Sequence, residues 1–278
     1  MSNIRVEPFL KWAGGKRWLV NNQRGIFRST NGRHIEPFLG SAAVFFALRP
    51  KKAILADLNP RLIETYKCIR DDYLSFENHF HWFAKNHSKD FYYEVRQKTY
   101  KSISKRAAHF LYLNRVCFNG IYRENLKGVF NVPLGSKTSA LLDTDDFSKV
   151  SNLLQSAEIL ASDFESVIDM AHEGDFLYVD PPYTTKHNMN GFVKYNQKIF
   201  SWDDQKRLAL AVKRANQRGV MIIVSNADHE EVRNLYVDTF TLRSVSRANV
   251  IASKSKYRGT ITELIVSNTD SIGSSNSH

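Results

Sequence analysis

The pattern of apolar residues divides this chain into three stretches. In the first and last stretches, short continuous apolar runs alternate with helical patterns, which is typical of strands buried in an α/β sheet. These runs lie at 34–36, 53–57, 157–160, 176–179, 220–224 and 262–266. Between residues 58 and 142 the alternation stops: helical spacing dominates to Arg115, and 117–135 predicts an irregular hairpin. We therefore predict an α/β sheet with an inserted, mainly helical domain that carries a β-hairpin.

Composition sets the class of protein. The chain has 278 residues and is 42% hydrophobic, which is enough for a sizeable core. No window is apolar enough for a membrane span or a signal peptide. Cys68 and Cys117 are isolated, without metal-ligand spacing, and fit packing roles in a reducing cytoplasm. We expect a soluble protein without a metal, and we expect its Ser-rich tail, 271–278, to be disordered.

Charge is concentrated in the middle of the chain. The formal net charge is +11, and the stretch 85–137 carries most of the excess of Lys and Arg over acids. Aromatic residues are interleaved with these cations, as on nucleic-acid-binding surfaces. The alternative is a solvated helical face whose aromatic residues lie in the core. A second basic stretch, from Arg243 to Arg258, predicts a mobile loop or an exposed turn.

The segment Asp180-Pro181-Pro182-Tyr183 follows the apolar run 176–179. Two prolines supply no backbone N–H, so we expect Asp180 to be the last strand residue, at the carboxyl edge where open sheets bind ligands. A carboxylate, proline carbonyls and a flat tyrosine ring suit a planar ring with an exocyclic amine. The alternative is an ordinary turn, because Asp-Pro and Pro-Pro are common turn sequences.

Two further segments are candidates for binding a cofactor. The first is Trp12-Ala13-Gly14-Gly15-Lys16, in which two glycines allow close approach of a ligand between an aromatic ring and a cation. A plain turn before a helix is the alternative. The second is Glu36-Pro37-Phe38-Leu39-Gly40-Ser41, a turn from strand to helix, followed about 20 residues later by Asp57 at the end of the next run. This spacing is typical of a Rossmann-like adenosyl site, in which the acid binds the ribose hydroxyls.

Taken in order, these segments resemble a DNA adenine N6-methyltransferase of the Dam family, of the alpha class and D12 type. The likeness is collinear from Phe9 to Asn268. The matching segments are Phe9 to Lys16, Glu36 to Gly40, Ala56 to Asn59, Leu113 to Arg115, Phe118 to Arg123, Phe130 to Pro133 and Asp180 to Tyr183. Several motifs in one order are a stronger signal than any one of them.

The resemblance implies transfer of a methyl group from S-adenosylmethionine to N6 of an adenine flipped out of double-stranded DNA, with S-adenosylhomocysteine as the product. It implies a Rossmann-like catalytic domain formed by 1–57 and 143–270, and a target-recognition domain at 58–142. We also expect a cytoplasmic monomer, from a bacterium or a phage-infected cell, with a role such as restriction-modification.

The resemblance also assigns the site residues. The catalytic residues are Asp180, Pro181, Pro182 and Tyr183. The cofactor-binding residues are Trp12, Ala13, Gly14, Gly15, Lys16, Glu36, Pro37, Phe38, Gly40, Ser41, Asp57, Asp163, Phe164 and Asp180. The DNA-binding residues are Arg115, Phe118, Asn119, Gly120, Ile121, Arg123, Asn131, Pro133 and Lys137. Among these, Arg123 would read a guanine edge and Phe118 would wedge beside the flipped base.

Two departures from the family pattern leave the target sequence open. Ala42 stands where a second glycine is usual, and Ser136 follows Gly135 where relatives often have arginine. Serine cannot make the bidentate contact of arginine, so the target is GATC or a related short site. Two other functions also stay open: methylation of cytosine N4 or of RNA, and a catalytically silent DNA-binding protein. Retention of Asp180 and Tyr183 disfavours the silent protein.

Overall fold

The structure is a computed structural model, and it describes residues 6–27, 30–125, 129–184, 200–248 and 260–269. Within these ranges the chain has seven strands and nine α-helices, which confirms the predicted α/β class. The strands are β1 (His34–Glu36), β2 (Ala53–Asp57), β3 (Ala157–Ala161), β4 (Phe176–Val179), β5 (Met221–Ala227), β6 (Thr241–Ala248) and β7 (Thr260–Ser267). The helices are α1 (Arg17–Asn22), α2 (Ala43–Leu48), α3 (Pro60–Lys85), α4 (Lys89–Val95), α5 (Ile103–Val116), α6 (Phe147–Leu154), α7 (Phe164–Asp169), α8 (Trp202–Gln217) and α9 (Glu230–Asn234).

The chain divides into two compact units. The first consists of Met1–Arg24 and Leu39–Ser162, and the second of Gly25–Phe38 and Asp163–His278. Both units are therefore discontinuous in sequence. The predicted recognition domain, 58–142, falls inside the first unit, and its boundaries stay a prediction.

The first unit combines a parallel strand pair with helices. β2 and β3 are in register from Ala53 opposite Ala157 to Asp57 opposite Ala161. The long helix α3 packs on α5 and α6. Asn59 begins α3 because its side chain accepts the N–H groups of Arg61 and Leu62, with proline at the first turn. Aromatic residues on the inner faces of α3 and α5 are buried, as their helical spacing predicts.

The second unit is built on five strands in the order β1-β4-β5-β7-β6. β1, β4 and β5 are parallel, and β7 runs antiparallel to both β5 and β6. All four residues of β4 are buried, as expected for a central parallel strand. Helix α8 begins at a capping box in which Ser201 and Asp204 exchange hydrogen bonds, as the sequence predicts.

The predicted loop that begins at Arg243 is wrong in its first part. Arg243 and Arg247 lie on β6, where Arg243 pairs with Ile265 of β7. The apolar residues of this segment, Leu242, Val245 and Ala248, are three apart, so the sequence lacks the period of two that marks a strand, and the pairing with β7 defines the strand instead. The rest of the basic stretch, including Lys254, Lys256 and Arg258, lies outside the described residues, as does the predicted tail.

Candidate active site and hairpin surface

The segment from Trp12 to Lys16 forms a tight turn ahead of α1. The Gly15 N–H donates to the Trp12 carbonyl (3.1 Å), and Gly14 has a φ of +77°, a conformation that glycine adopts without strain. Lys16 is only 2% exposed, and its Nζ donates to the Gly14 carbonyl (2.7 Å). The Trp12 indole stacks on Tyr122, with ring centroids 6.1 Å apart. The turn therefore holds a buried cation beside an ordered aromatic ring, while Ala13 is exposed.

Asp57 is held by the turn that precedes α2. Its Oδ2 accepts the Gly40 N–H (3.1 Å) and its Oδ1 accepts the Asn59 N–H (3.0 Å). Burial raises the pKa of Asp57, and these N–H donors oppose that rise. A Cβ at Gly40, whose φ is +47°, would lie 2.7 Å from Cδ1 of Trp12. Glycine at this position thus permits close contact between the two predicted cofactor segments of the first unit.

These contacts bring most of the cofactor residues predicted in the first unit together. Ser41 also lies close to the turn, because a Cβ built on Gly15 would be 3.4 Å from the Ser41 Oγ. The group consists of Trp12, Gly14, Gly15, Lys16, Gly40, Ser41 and Asp57. A carboxylate accepts about four hydrogen bonds, so Asp57 retains acceptor capacity for a ligand.

Apart from Asp180, which is described below with its segment, the cofactor residues predicted in the second unit form two groups. Glu36 is buried at the end of β1, with its Oε1 2.6 Å from the His34 Nε2, and Pro37 is buried next to it. Phe38 is half-buried and stacks on Phe164, with ring centroids 5.3 Å apart. The structure thus joins the predicted residues Phe38 and Phe164, which are far apart in sequence.

Arg207 on α8 orders Asp163 and Phe164. Its Nη1 and Nη2 donate to the two carboxylate oxygens of Asp163 (2.8 and 2.9 Å), and its Cζ lies 4.2 Å from the centre of the Phe164 ring. The hydrogen bond to Asp163 raises the pKa of Arg207 above its ordinary value. No local pattern in the sequence indicates Arg207, because its partner Asp163 lies 44 residues earlier in the chain.

The Asp180 to Tyr183 segment leaves the sheet one residue earlier than predicted. β4 ends at Val179, so Asp180 is the first residue beyond the strand rather than its last. The two prolines explain why the ladder stops there, since neither can donate a backbone hydrogen bond. Asp180, Pro182 and Tyr183 are half-buried and Pro181 is buried. An anionic acceptor and an aromatic ring therefore lie, partly accessible, beyond a carboxyl end of the parallel strands.

A polar network lies behind this segment. The Tyr183 hydroxyl donates to the Oε2 of Glu263 (2.8 Å), and the Ser225 Oγ lies 3.3 Å from both of those oxygens. Tyr178, two residues before Asp180, is 3% exposed, and burial raises its pKa well above the ordinary value, with smaller contributions from Asp180 and Tyr183. Neither Glu263 nor Ser225 is predicted as a site residue, because both lie inside largely apolar strands.

Most of the predicted DNA-binding residues lie on the surface of the hairpin at 117–135. Antiparallel bridges join Cys117 to Leu134 and Glu124 to Phe130. Phe118 is 52% exposed, unusually so for an aromatic side chain. The exposed members of the set are Phe118, Asn119, Arg123, Asn131, Pro133 and Lys137, whereas Ile121 is half-buried and Gly120 is buried.

Arg123 and Asn131 are paired across the hairpin. The Arg123 Nε donates to the Asn131 Oδ1 (3.2 Å), and both side chains are exposed. Among the described residues the two Nη groups of Arg123 have no partner. A guanidinium held at one edge in this way can offer its other edge to a planar acceptor pair.

Arg115 does not fit the predicted contact with DNA. It is 3% exposed, and its five N–H groups are all used: two donate to the Phe9 carbonyl, one to the Ala140 carbonyl and two to the Asp145 carboxylate. Its guanidinium also lies over the Phe80 ring, 5.1 Å from the centroid. A guanidinium with every donor used has none left for a phosphate, so Arg115 is a structural residue.

The neighbouring Asn114 joins the amino-terminal segment to the hairpin. This fully buried side chain accepts the Lys11 N–H (3.0 Å) and donates to the carbonyls of Lys11 (2.7 Å) and Gly120 (3.3 Å). Partial burial, and then the charge of Lys137, lower the pKa of the exposed Lys11. Lys11 is therefore a further cation beside the hairpin. The sequence predicts no role for Lys11, because its contact with Asn114 spans 103 residues.

Comparison with known proteins defines the class of this chain. The family model described as D12 class N6 adenine-specific DNA methyltransferase matches residues 12–251. The chain is 34% identical to type II methyltransferase M1.LlaDCHI of Lactococcus lactis subsp. cremoris, over 96% of this chain and 97% of that protein. It is also 34% identical to type II methyltransferase M.MjaIII of Methanocaldococcus jannaschii (95% and 100%), and 32% identical to the DNA adenine methylase of Vibrio cholerae serotype O1 (94% and 95%).

The chain belongs to the D12 class N6 adenine-specific DNA methyltransferases. The predicted resemblance and the predicted enzyme class are both confirmed. Membership implies a methyl donor and DNA as the substrate. Among the described residues no helix has the length and apolar character needed to span a membrane.

Proposed function

We propose that this protein transfers a methyl group from S-adenosylmethionine to N6 of an adenine flipped out of double-stranded DNA, within one short sequence. The observation that carries the proposal is the Asp180 to Tyr183 segment at the end of buried β4, in a chain of the N6-adenine family. GATC and related short sites are the candidate targets. Relatives named type II methyltransferases support a role in restriction-modification.

Asp180 and the proline carbonyls hold the target amine. An ionised carboxylate accepts one N6–H and a proline carbonyl accepts the other, because neither group has a donor of its own. Accepting both protons draws the nitrogen lone pair out of conjugation with the ring and makes it available for attack. Tyr183 stacks on the adenine, a contact worth about 1–3 kcal/mol. The chain thus supplies positioning and a fixed electrostatic environment for the amine.

The residues present fit S-adenosylmethionine, which when bound supplies an electrophilic methyl group on a sulfonium. Asp57 retains acceptor capacity beside the Gly40 N–H, as binding of ribose hydroxyls requires. The Trp12 to Lys16 turn offers backbone atoms and a cation for the methionine end of the cofactor. In the second unit, the stacked Phe38 and Phe164 offer apolar surface for an adenine ring.

The hairpin surface carries the proposed contact with DNA. Phe118 is exposed at the start of the hairpin and is suited to wedge into the stack where a base leaves it. Arg123, ordered by Asn131, is suited to a bidentate contact with O6 and N7 of guanine. The cations Lys11 and Lys137 favour phosphates nearby.

Replacement of Asp180 separates chemistry from binding. In Asp180→Ala we expect methyl transfer to fall by about 100- to 1,000-fold, because the acceptor that holds N6 is lost. DNA affinity should stay within about threefold, since most of it comes from phosphate contacts. The matched control is Asp238→Ala, which removes an exposed aspartate of the second unit. Wild-type rates in Asp180→Ala would refute the assignment.

A further inference from the structure

The Tyr183 hydroxyl has a partner in β7, the last strand along the sequence. Glu263 on β7 is 2% exposed, and its Oε2 accepts the tyrosine hydroxyl at 2.8 Å. Ser225, fully buried on β5, donates to the same carboxylate oxygen at 3.3 Å. The two strands are antiparallel, with Ala227 opposite Glu263, so alternation along β5 places Ser225 and Glu263 on one face.

The sheet brings this pair beside the catalytic segment. β4 and β5 are parallel with Val179 opposite Val224, so the chain leaves β4 next to Ser225. A carboxylate this deeply buried costs free energy unless it is hydrogen-bonded. An apolar residue would fill the position without that cost. A glutamate at position 263, hydrogen-bonded to Tyr183, therefore indicates a functional role in addition to packing.

We infer that Glu263 is a positioning residue for Tyr183. A tyrosine side chain has two torsions, and a hydrogen bond at its hydroxyl restrains the first of them, which sets the direction in which the ring projects from the backbone. Because the inference rests on the proposed function, the ring so fixed is the one on which the target adenine stacks. The charged hydrogen bond orders the ring before the base arrives, so the base does not have to order it.

A double-mutant cycle tests this role. Tyr183→Phe keeps the ring but removes the hydroxyl, and Glu263→Leu removes the acceptor. We expect each to lower kcat by about ten- to hundredfold, because each deletes a hydrogen bond to a charged group. The double variant should be no slower than the slower single variant, since both remove the same bond. Glu263→Gln, whose amide oxygen still accepts, should restore kcat to within about threefold of wild type.

Two further readouts distinguish positioning from a general structural role. KM for DNA should change by less than about twofold, because phosphate contacts dominate affinity. With 2-aminopurine at the target position, Tyr183→Phe and Glu263→Leu should alter the fluorescence of the bound duplex in the same way. The matched control is Tyr236→Phe, which removes a buried hydroxyl of the second unit that has no partner among the described residues. Its kcat should equal that of wild type.

The outcomes are separable. Independent, multiplicative losses in kcat, or an unchanged kcat in Tyr183→Phe, would overturn the role of Glu263 while wild type and Tyr236→Phe still methylate DNA. If Glu263→Leu does not fold, the kcat of Tyr183→Phe alone still tests whether the hydrogen bond to Glu263 matters. Absence of DNA methylation in wild type and in Tyr236→Phe would instead refute the proposed function.

Discussion

The carboxyl end of α5 and the hairpin that follows it carry the same kinds of residue and use them in opposite ways. Arg115 is buried, with all five of its donors used inside the protein. Arg123, eight residues later, is exposed, and within the described part of the chain its guanidinium makes one hydrogen bond, to Asn131. Charge and aromatic content are similar in the two regions, so composition alone does not separate scaffold from surface. Burial separates them, and it is the reason that we propose the DNA contact on the hairpin and not at the end of α5.

The largest expected effect is on the buried side of this comparison. Arg115→Ala leaves the Asp145 carboxylate without its cation and removes the bonds to the Phe9 and Ala140 carbonyls. We expect the free energy of unfolding to fall by about 3–5 kcal/mol, the usual cost of breaking a buried ion pair. Urea denaturation followed by circular dichroism measures it. A loss below about 1 kcal/mol, with weaker DNA binding, would return Arg115 to the DNA surface.

A second prediction concerns His109, which is also on the buried face of α5. Its Nε2 donates to the Val95 carbonyl (2.9 Å), and burial lowers its pKa to about 4. In the unfolded chain this histidine has a pKa near 6.5. Its contribution to the free energy of unfolding is therefore fully present above pH 6.5 and is lost as pH falls through 4. The loss across this window is on the order of 3 kcal/mol.

His109→Gln supplies the comparison for that prediction. Glutamine keeps a donor for the carbonyl but does not titrate, so the stability of this variant should fall less steeply between pH 6.5 and 4 than that of wild type. Burial raises the pKa of Asp57, so this group makes the protein more stable as pH falls, opposite to His109. Because Asp57 is present in both proteins, its effect cancels in the comparison. Parallel pH profiles of the two urea midpoints would contradict the buried, neutral state of His109.

The smallest expected effect on stability is on the exposed side. Arg123→Ala should change the free energy of unfolding by less than about 0.5 kcal/mol, as is usual for surface substitutions. It should reduce discrimination against a changed base pair by about 1–3 kcal/mol, the value of one bidentate guanine contact. Methylation rates on duplexes carrying single changes in the target measure this.

Arg123→Lys is the matched control, because it keeps the charge and loses the fork of donors. We expect it to lose discrimination as Arg123→Ala does, while keeping the salt dependence of DNA binding close to that of wild type. If Arg123→Lys discriminates as well as wild type, Arg123 contacts a phosphate and not a base.

Local signals in the sequence account for most of the fold. The limits of β2 and the start of β4 follow from continuous apolar runs, and the starts of α3 and α8 follow from their caps. β6 is missed because its apolar residues are three apart, among serines and arginines, and so do not show the period of two that is typical of a strand.

The candidate site is predicted less completely, and for a physical reason. Motifs locate Asp57, Asp180 and Tyr183, but the groups that hold the site lie far away in sequence. Glu263 meets Tyr183 across 80 residues, and Arg207 meets Asp163 across 44. Such pairs are set by the register of strands and by helix packing, which a local pattern does not encode. Arg115 is the opposite case. Its motif predicts a contact with DNA, but the residue is buried, because partners as distant in sequence as Phe9 take up its donors.

The most direct test of the central claim is to incubate the purified protein with unmethylated genomic DNA and labelled S-adenosylmethionine, and to map modified bases by single-molecule sequencing. We predict N6-methyladenine confined to one short motif, and at least about 100-fold slower modification of that motif with Asp180→Ala. The same map shows whether that motif is GATC. N4-methylcytosine, or label that enters RNA and not DNA, would contradict the proposed reaction.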